Sequence, residues 1–154
     1  MTYEKFIEEY LSKGLLKKQK PSAIAVEKLI ARSGKDLKTA KANLSIDEGI
    51  AYTVAYLAML RAGRAFMLLK GFRPADGYQH KTVVAFMSQC LGKEYQGITE
   101  RFDRMRRKRN IFTYEIDIAI SRTDAEGALD TAVKFVNTVK GIMKEENPQD
   151  HFKF

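Results

Sequence analysis

The sequence predicts an all-α fold, an up-and-down four-helix bundle with an additional short N-terminal helix. Three observations predict it. Apolar residues recur at steps of three and four in five separate segments, which is the pattern of a helix with one buried face. Glycine and proline fall between those segments, at Gly14, Pro21, Gly71, Pro74, Gly77, Gly92 and Pro148, so the links are short and neighbouring helices run antiparallel. The single stretch of period two, Tyr114–Ile120, has no partner strand elsewhere in the sequence, so it reads as an extended connector over the end of the bundle. With 154 residues, 45% hydrophobic and 30% charged, the chain makes one domain with room for a real core. Residues 1–20 are the N-terminal helix and a basic connector of the same domain, 21–146 the bundle, and 147–154 a tail.

Each element has its own warrant. Thr2–Lys13 is a short helix on Tyr3, Phe6, Ile7, Tyr10 and Leu11, with Thr2 placed to cap it and Gly14 to stop it. Leu15–Lys20 is the basic connector, and Pro21 suits the first turn of the next helix. That helix reaches about Leu44 on Val26, Leu29, Ile30, Ser33, Leu37 and Ala40, with Gly34 as a weak point midway. Ser45 and Glu48 have the spacing of a capping box, which starts the central helix. It runs to about Lys70, and its first half is apolar on every side, so it packs against more than one neighbour. Phe72–Gln79 is a turn marked by Pro74 and Gly77. His80–Leu91 is a helix on Val83, Val84, Phe86, Met87, Cys90 and Leu91, in which Cys90 reads as packing and His80 as a capping or packing residue. Ser121 or Thr123 caps a last helix to about Glu145 on Ala125, Leu129, Ala132, Val136, Val139 and Met143, and the tail after Pro148 is expected to be loose.

Composition excludes several classes. One cysteine forbids an intrachain disulfide framework and a cysteine metal cluster. The N-terminus carries acids where a signal peptide needs an apolar run. The longest charge-free apolar run, Gly49–Leu60, is twelve residues, too short to span a bilayer. A cytoplasmic protein without a membrane role is expected. There is no Walker loop, no dinucleotide glycine fingerprint and no His-Glu-x-x-His, and two histidines make no plausible metal set, so neither metal nor cofactor is expected. The formal charge of +8 and pI near 9.5 favour acidic partners such as RNA.

The chemistry concentrates in Glu94–Glu115. Tyr95, Ile98, Phe102, Met105, Arg109 and Phe112 step by three, four, three, four and three, one face of a helix that is expected to end shortly after Phe112. Between Arg101 and Arg109 stand six cations and one anion, Asp103, a net +5 in nine residues. Most of these cations can face water. Arg109 sits on the apolar stripe, and a guanidinium is rarely buried without a partner. It therefore either pairs inside the bundle or lines a cleft. Arg61 and Arg64 lie three apart on the central helix, as rim cations or as companions of Arg109 around a shared anion.

Arg106-Arg-Lys-Arg-Asn-Ile-Phe-Thr-Tyr114-Glu resembles the signature of HEPN domains, in which an arginine, often followed by asparagine, precedes a histidine by four to six residues. Tyr56-Leu-Ala-Met-Leu-Arg-Ala-Gly-Arg-Ala-Phe-Met-Leu-Leu-Lys-Gly-Phe is similar to that family's central helix and exit glycine. Arg73-Pro-Ala-Asp-Gly-Tyr-Gln-His80 resembles its turn, with the histidine that opens the third core helix, and Ile120-Ser-Arg-Thr-Asp-Ala-Glu the start of its last helix. The resemblance covers about Pro21 to Lys144. It implies a four-helix bundle that usually dimerises. It also implies either a metal-independent RNase, often a toxin partnered by a minimal nucleotidyltransferase, or a non-catalytic module binding RNA, nucleotides or proteins.

The departure is at Tyr114, which stands where the family's RNases have histidine. Arg73 and His80 have a permitted spacing, but Pro74 and Gly77 lie between them, so that pair reads as a chance match. A phenol with pKa near 10 is ionised to only about one part in a thousand at pH 7, so Tyr114 can donate a hydrogen bond but is a poor unassisted base. The leading expectation is a non-catalytic module in a toxin–antitoxin or defence setting. It binds RNA, a nucleotide or a minimal nucleotidyltransferase through Arg106, Arg109, Asn110 and Tyr114, with Arg61 and Arg64 as weaker candidates, and it forms a homodimer. The alternatives are an altered RNase using Arg109, Asn110 and Tyr114, and a purely structural bundle in which Arg109 is an interior ion-pair partner. Tyr114 is expected to fold back towards Arg109 where the chain turns after the helix.

Overall fold

The computed structural model describes residues 1–75, 79–115 and 118–154. Six helices follow one another: α1 (Tyr3–Ser12), α2 (Ala23–Asn43), α3 (Glu48–Leu69), α4 (Gln79–Leu91), α5 (Gln96–Tyr114) and α6 (Arg122–Glu146). Two three-residue strands, β1 (Leu16–Lys18) and β2 (Phe72–Pro74), pair antiparallel with Leu16 opposite Pro74 and Lys18 opposite Phe72. The fold is all-α, with this ribbon joining the α1–α2 link to the α3–α4 link. Among the described residues no helix is long and apolar enough to cross a membrane. Nor is any group of three or more His, Cys, Asp or Glu there placed to hold a metal ion.

The helix starts follow from side-chain oxygens that satisfy free amides. Thr2, Ser22 and Ser121 accept from the amides of Lys5, Ala25 and Asp124, and Asp124 returns a bond to the Ser121 amide, a complete capping box. Pro21 therefore lies just before its helix rather than in the first turn. The cap of α3 is Asp47, which accepts from the Ile50 amide at 3.1 Å, and not Ser45. The turn after α2 extends two residues further than the capping-box spacing implies, because the Ile46 and Asp47 amides both bond back to the Asn43 carbonyl. Gly34 does not interrupt α2. At Gly71 the backbone takes φ +92°, which ends α3 and feeds β2.

The expected connector at Leu15–Lys20 and the first residues of the expected turn are the ribbon. Beyond the paired strands, the Gln19 amide bonds the Gly71 carbonyl and the Ala75 amide bonds the Leu15 carbonyl, both at 2.9 Å. Leu16 is buried while Lys17 and Lys18 are exposed. Three residues with one apolar side chain carry too little alternation to announce a strand. Gly77 of the expected turn and Ile116 of the expected extended connector lie outside the described residues. Tyr114, expected to begin that connector, is the last residue of α5.

Helix α3 is the axis of the bundle and packs most extensively on α2 and α6. Its all-round apolar first half is accounted for within the one chain, with Tyr56, Ala58 and Met59 fully buried. Two aromatic groups fill the space around it. Phe86 on α4 meets Tyr3, Phe6, Phe66 and Phe72 edge-on or tilted, while Tyr56, Phe102 and Phe135 tie α3 to α5 and α6. Two glycines of α3 allow close approach. A Cβ at Gly63 would lie 2.6 Å from Val83 Cγ1, and one at Gly49 would lie 2.2 Å from Phe112 Cζ. Between α2 and α3, Asp36 is buried and ion-paired to Arg61 and to Arg32 (3.5 Å), and the Ser33 hydroxyl donates to the Ala58 carbonyl at 2.8 Å. The tail is not loose. Pro148–Asp150 form a 3-10 turn, and Phe152 and Phe154 stack at 4.9 Å against the core.

Candidate functional site

The cations of α5 divide into paired and unpaired. Asp103 serves both Arg106 (3.0 Å) and Arg107 (3.3 Å), and Asp124 holds Lys108 at 2.9 Å. Arg101, Arg104 and Arg109 have no carboxylate within 4.0 Å among the described residues. Of these three only Arg109 points inward, as its place on the apolar stripe requires. It is half-buried, its Nη1 donates to Asn110 Oδ1 at 3.3 Å, and its Nε is buried with no hydrogen-bond partner. The ion-pair role considered for Arg109 has no acid to support it among the described residues.

What Arg109 acts on electrostatically instead is His80. Near the start of α4, the His80 Nδ1 lies 2.9 Å from the hydroxyl of Tyr56, a fully buried residue of α3. That hydroxyl has no other acceptor among the described residues; in the tautomer where it donates to Nδ1, the neutral ring carries its proton on Nε2. Burial holds the imidazole below its ordinary pKa, and the fields of Arg109, Arg64 and Arg106 push it the same way. Burial likewise raises the Tyr56 phenol, against the opposing pull of Arg106 and Arg109. The cluster therefore offers guanidinium donors from Arg109 and Arg106 on α5, the cation of Arg64 on α3, and a neutral N–H from His80. Among the described residues Asp103 offsets the charge, at Arg106. These are the donor types that an oxyanion accepts from. A ring whose free nitrogen carries the proton is a donor and not a base.

The remaining candidates lie elsewhere. Tyr114 is 80% exposed. Five residues on from Arg109 at about 100° each, it lies roughly 140° round the helix, so it does not fold back to Arg109. Helix α5 carries on through the position where the chain was expected to turn. Asn110 orients Arg109 from the adjoining position. Arg61 is committed to Asp36 and so is not available to a shared anion with Arg109. Arg64 is exposed, yet its field reaches His80. Sequence reasoning missed His80 and Tyr56 as members of the cluster. The first was legible only as a spacing match to Arg73, on the wrong arginine, and the second is hidden in a helix that is apolar on all sides. Cys90 packs as expected, and burial pushes its thiol up to about 12.

A family model for the HEPN domain matches residues 26–142. The chain belongs to the HEPN family. No curated protein matches it. The matched part of this HEPN domain includes Tyr56, Arg64, β2, His80, Arg106 and Arg109 but begins after β1, so α1 and β1 lie outside it.

Proposed function

We propose that this HEPN domain is a non-catalytic binding module that takes a phosphate of single-stranded RNA at the Arg109–His80 cluster. The observation that carries the reading is Arg109 itself: inward and, among the described residues, without a carboxylate and with a buried Nε that lacks an acceptor. A phosphate oxygen supplies that acceptor and offsets the charge of the arginines. The outward cations of α5 draw the strand to the site. The non-catalytic part is supported, among the described residues, by the exposure of Tyr114 on another side of α5 and by the engagement of His80 Nδ1 with the Tyr56 hydroxyl. A minimal nucleotidyltransferase partner, in a toxin–antitoxin or defence setting, belongs to the same proposal. Such a partner would meet the apolar side chains exposed at one end of the bundle.

The test is a titration with labelled single-stranded RNA at several salt concentrations, followed by a cleavage assay in chelator. Affinity falls steeply with salt, because each neutralised phosphate releases counterions. Arg109→Ala weakens binding by about 1–3 kcal/mol, the scale of a charged hydrogen bond, and leaves the melting temperature in place. Tyr114→His leaves cleavage at background, since position 114 faces solvent. Cleavage by the native chain that Arg109→Ala abolishes would overturn the reading in favour of an altered RNase. Failure to bind RNA at low salt would overturn it outright.

A further inference from the structure

The ribbon, the start of α2 and the later turns of α3 enclose a pocket of about 240 Å³. Its apolar wall is made by Leu29 of α2, Leu68 of α3, and Phe72 and Pro74 of β2. Pro74 is buried, and the other three are partly buried and packed against the core. Backbone bonds fix the wall in place. Lys18 pairs with Phe72 across the ribbon, and the Gln19 amide bonds the Gly71 carbonyl at 2.9 Å.

Three cations border the same pocket: Lys20 before α2, Arg64 on α3 and Arg73 on β2. Among the described residues none has a carboxylate within 4.0 Å, and no acidic side chain lines the pocket. The acids that stand nearest along the helices are already engaged. Asp36 serves Arg61, one turn before Arg64, and Arg32, while Glu146 serves Lys70. A cleft with charges of one sign over an apolar wall focuses their field and draws in the opposite charge.

That combination describes a ligand with one anionic end and an apolar body. We propose that the pocket between the ribbon, α2 and α3 binds a small apolar carboxylate. Its two oxygens accept from the Arg64 and Arg73 guanidiniums and from Lys20, and its body lies against Leu29, Leu68 and Phe72. A guanidinium presents parallel N–H donors that match the two oxygens of a carboxylate. Size selects the body. The pocket is smaller than the about 300–1,000 Å³ of drug-sized sites, so it admits one ring or one short chain and not a nucleotide. Bare phosphate leaves the apolar wall uncovered. Neither Arg109 nor His80 lines this pocket, and Lys20 and Ala25 of its lining precede residue 26, where the HEPN match begins.

Titration of the full chain followed by NMR tests this with benzoate, hexanoate, benzyl alcohol and inorganic phosphate. One carboxylate or both bind at least about tenfold more tightly than benzyl alcohol or phosphate, and the tighter of the two tells an aromatic from an aliphatic body. Ala25→Leu enlarges a side chain of the lining and weakens carboxylate binding by at least about tenfold. Its melting temperature is retained, because leucine is nearly the equal of alanine as a helix former. Arg73→Gln removes one guanidinium from an irregular edge of the fold and weakens binding by about tenfold. Both variants keep the RNA affinity of the native chain, and Arg109→Ala keeps its carboxylate affinity, which separates this pocket from the RNA site. The inference is overturned if neither carboxylate binds, if benzyl alcohol or phosphate binds as tightly as the carboxylates, if Ala25→Leu or Arg73→Gln binds carboxylate like the native chain, or if Arg109→Ala alone abolishes carboxylate binding.

Discussion

Arg109 carries its energetic burden in a single N–H. A buried donor without an acceptor costs about 1–3 kcal/mol, more on a charged group, and here nothing in the described protein relieves it. His80 bears a related cost. Its pKa is lowered in the folded chain by burial and by Arg109, Arg64 and Arg106, while in the unfolded chain it returns to about 6.5. Below that value the unfolded chain binds more protons than the folded one, so stability falls as the pH drops from about 6.5 towards the lower folded value. Above about 6.5 both states are neutral and this contribution is flat. Melting temperature measured from pH 8 to pH 5 shows this loss for the native chain, and His80→Gln reduces it. Inorganic phosphate reduces it too, since an anion beside the arginines favours the imidazolium. Equal slopes for the native chain and the variant would remove His80 from the account. At this scale the inward turn of Arg109 was legible, because helical spacing alone puts it on the apolar face. Its action on His80 was not, since the two lie on different helices and only tertiary packing brings them together.

Gly49 shows how one element sets the position of another. The ring of Phe112, in the last turn of α5, occupies the place a Cβ would take on α3. Gly49→Ala must displace that ring, and with it the helix end that bears Arg109 and Asn110. Overpacking of this kind costs about 1–3 kcal/mol, against about 1 kcal/mol regained from helix propensity. The expected outcome is a lowered or barely changed melting temperature together with weaker RNA binding, measured by thermal unfolding and titration. Unaltered RNA binding would mean that the Arg109 cluster does not depend on this contact. The helices themselves were legible from periodicity and punctuation, and Thr2 and Ser121 cap where expected. The error at Ser45 arose because the Asn43 carbonyl takes the Ile46 and Asp47 amides, which carries the turn past Ser45 and leaves Asp47 as the cap. The ribbon escaped notice because three-residue strands draw their stability from each other and from Leu16, not from any local pattern.

Across the whole molecule charge and apolar exposure are separated. On α5 Arg101 and Arg104 are exposed and Arg109 is half-buried, while Ile46 and Ile50 at the start of α3 and Ile111 and Tyr114 at the end of α5 are exposed on either side of the Gly49–Phe112 contact. We propose this end of the bundle as the face of the expected homodimer, in competition with the proposed nucleotidyltransferase partner, because these apolar side chains are exposed there. Sedimentation at micromolar concentration gives the dimer mass, and Ile46→Glu with Ile111→Glu shifts it to the monomer. A monomeric native chain would remove the idea. The HEPN match begins at residue 26, yet β1 lies before it and is hydrogen-bonded along β2, five residues before α4. The ribbon is thus a mechanical linkage between the N-terminal segment and the helix that carries His80. Leu16, next to α1, and Pro74, on the α4 side of β2, share one end of the ribbon, so a pull between the first residues and α4 would open its hydrogen bonds one after another rather than all at once.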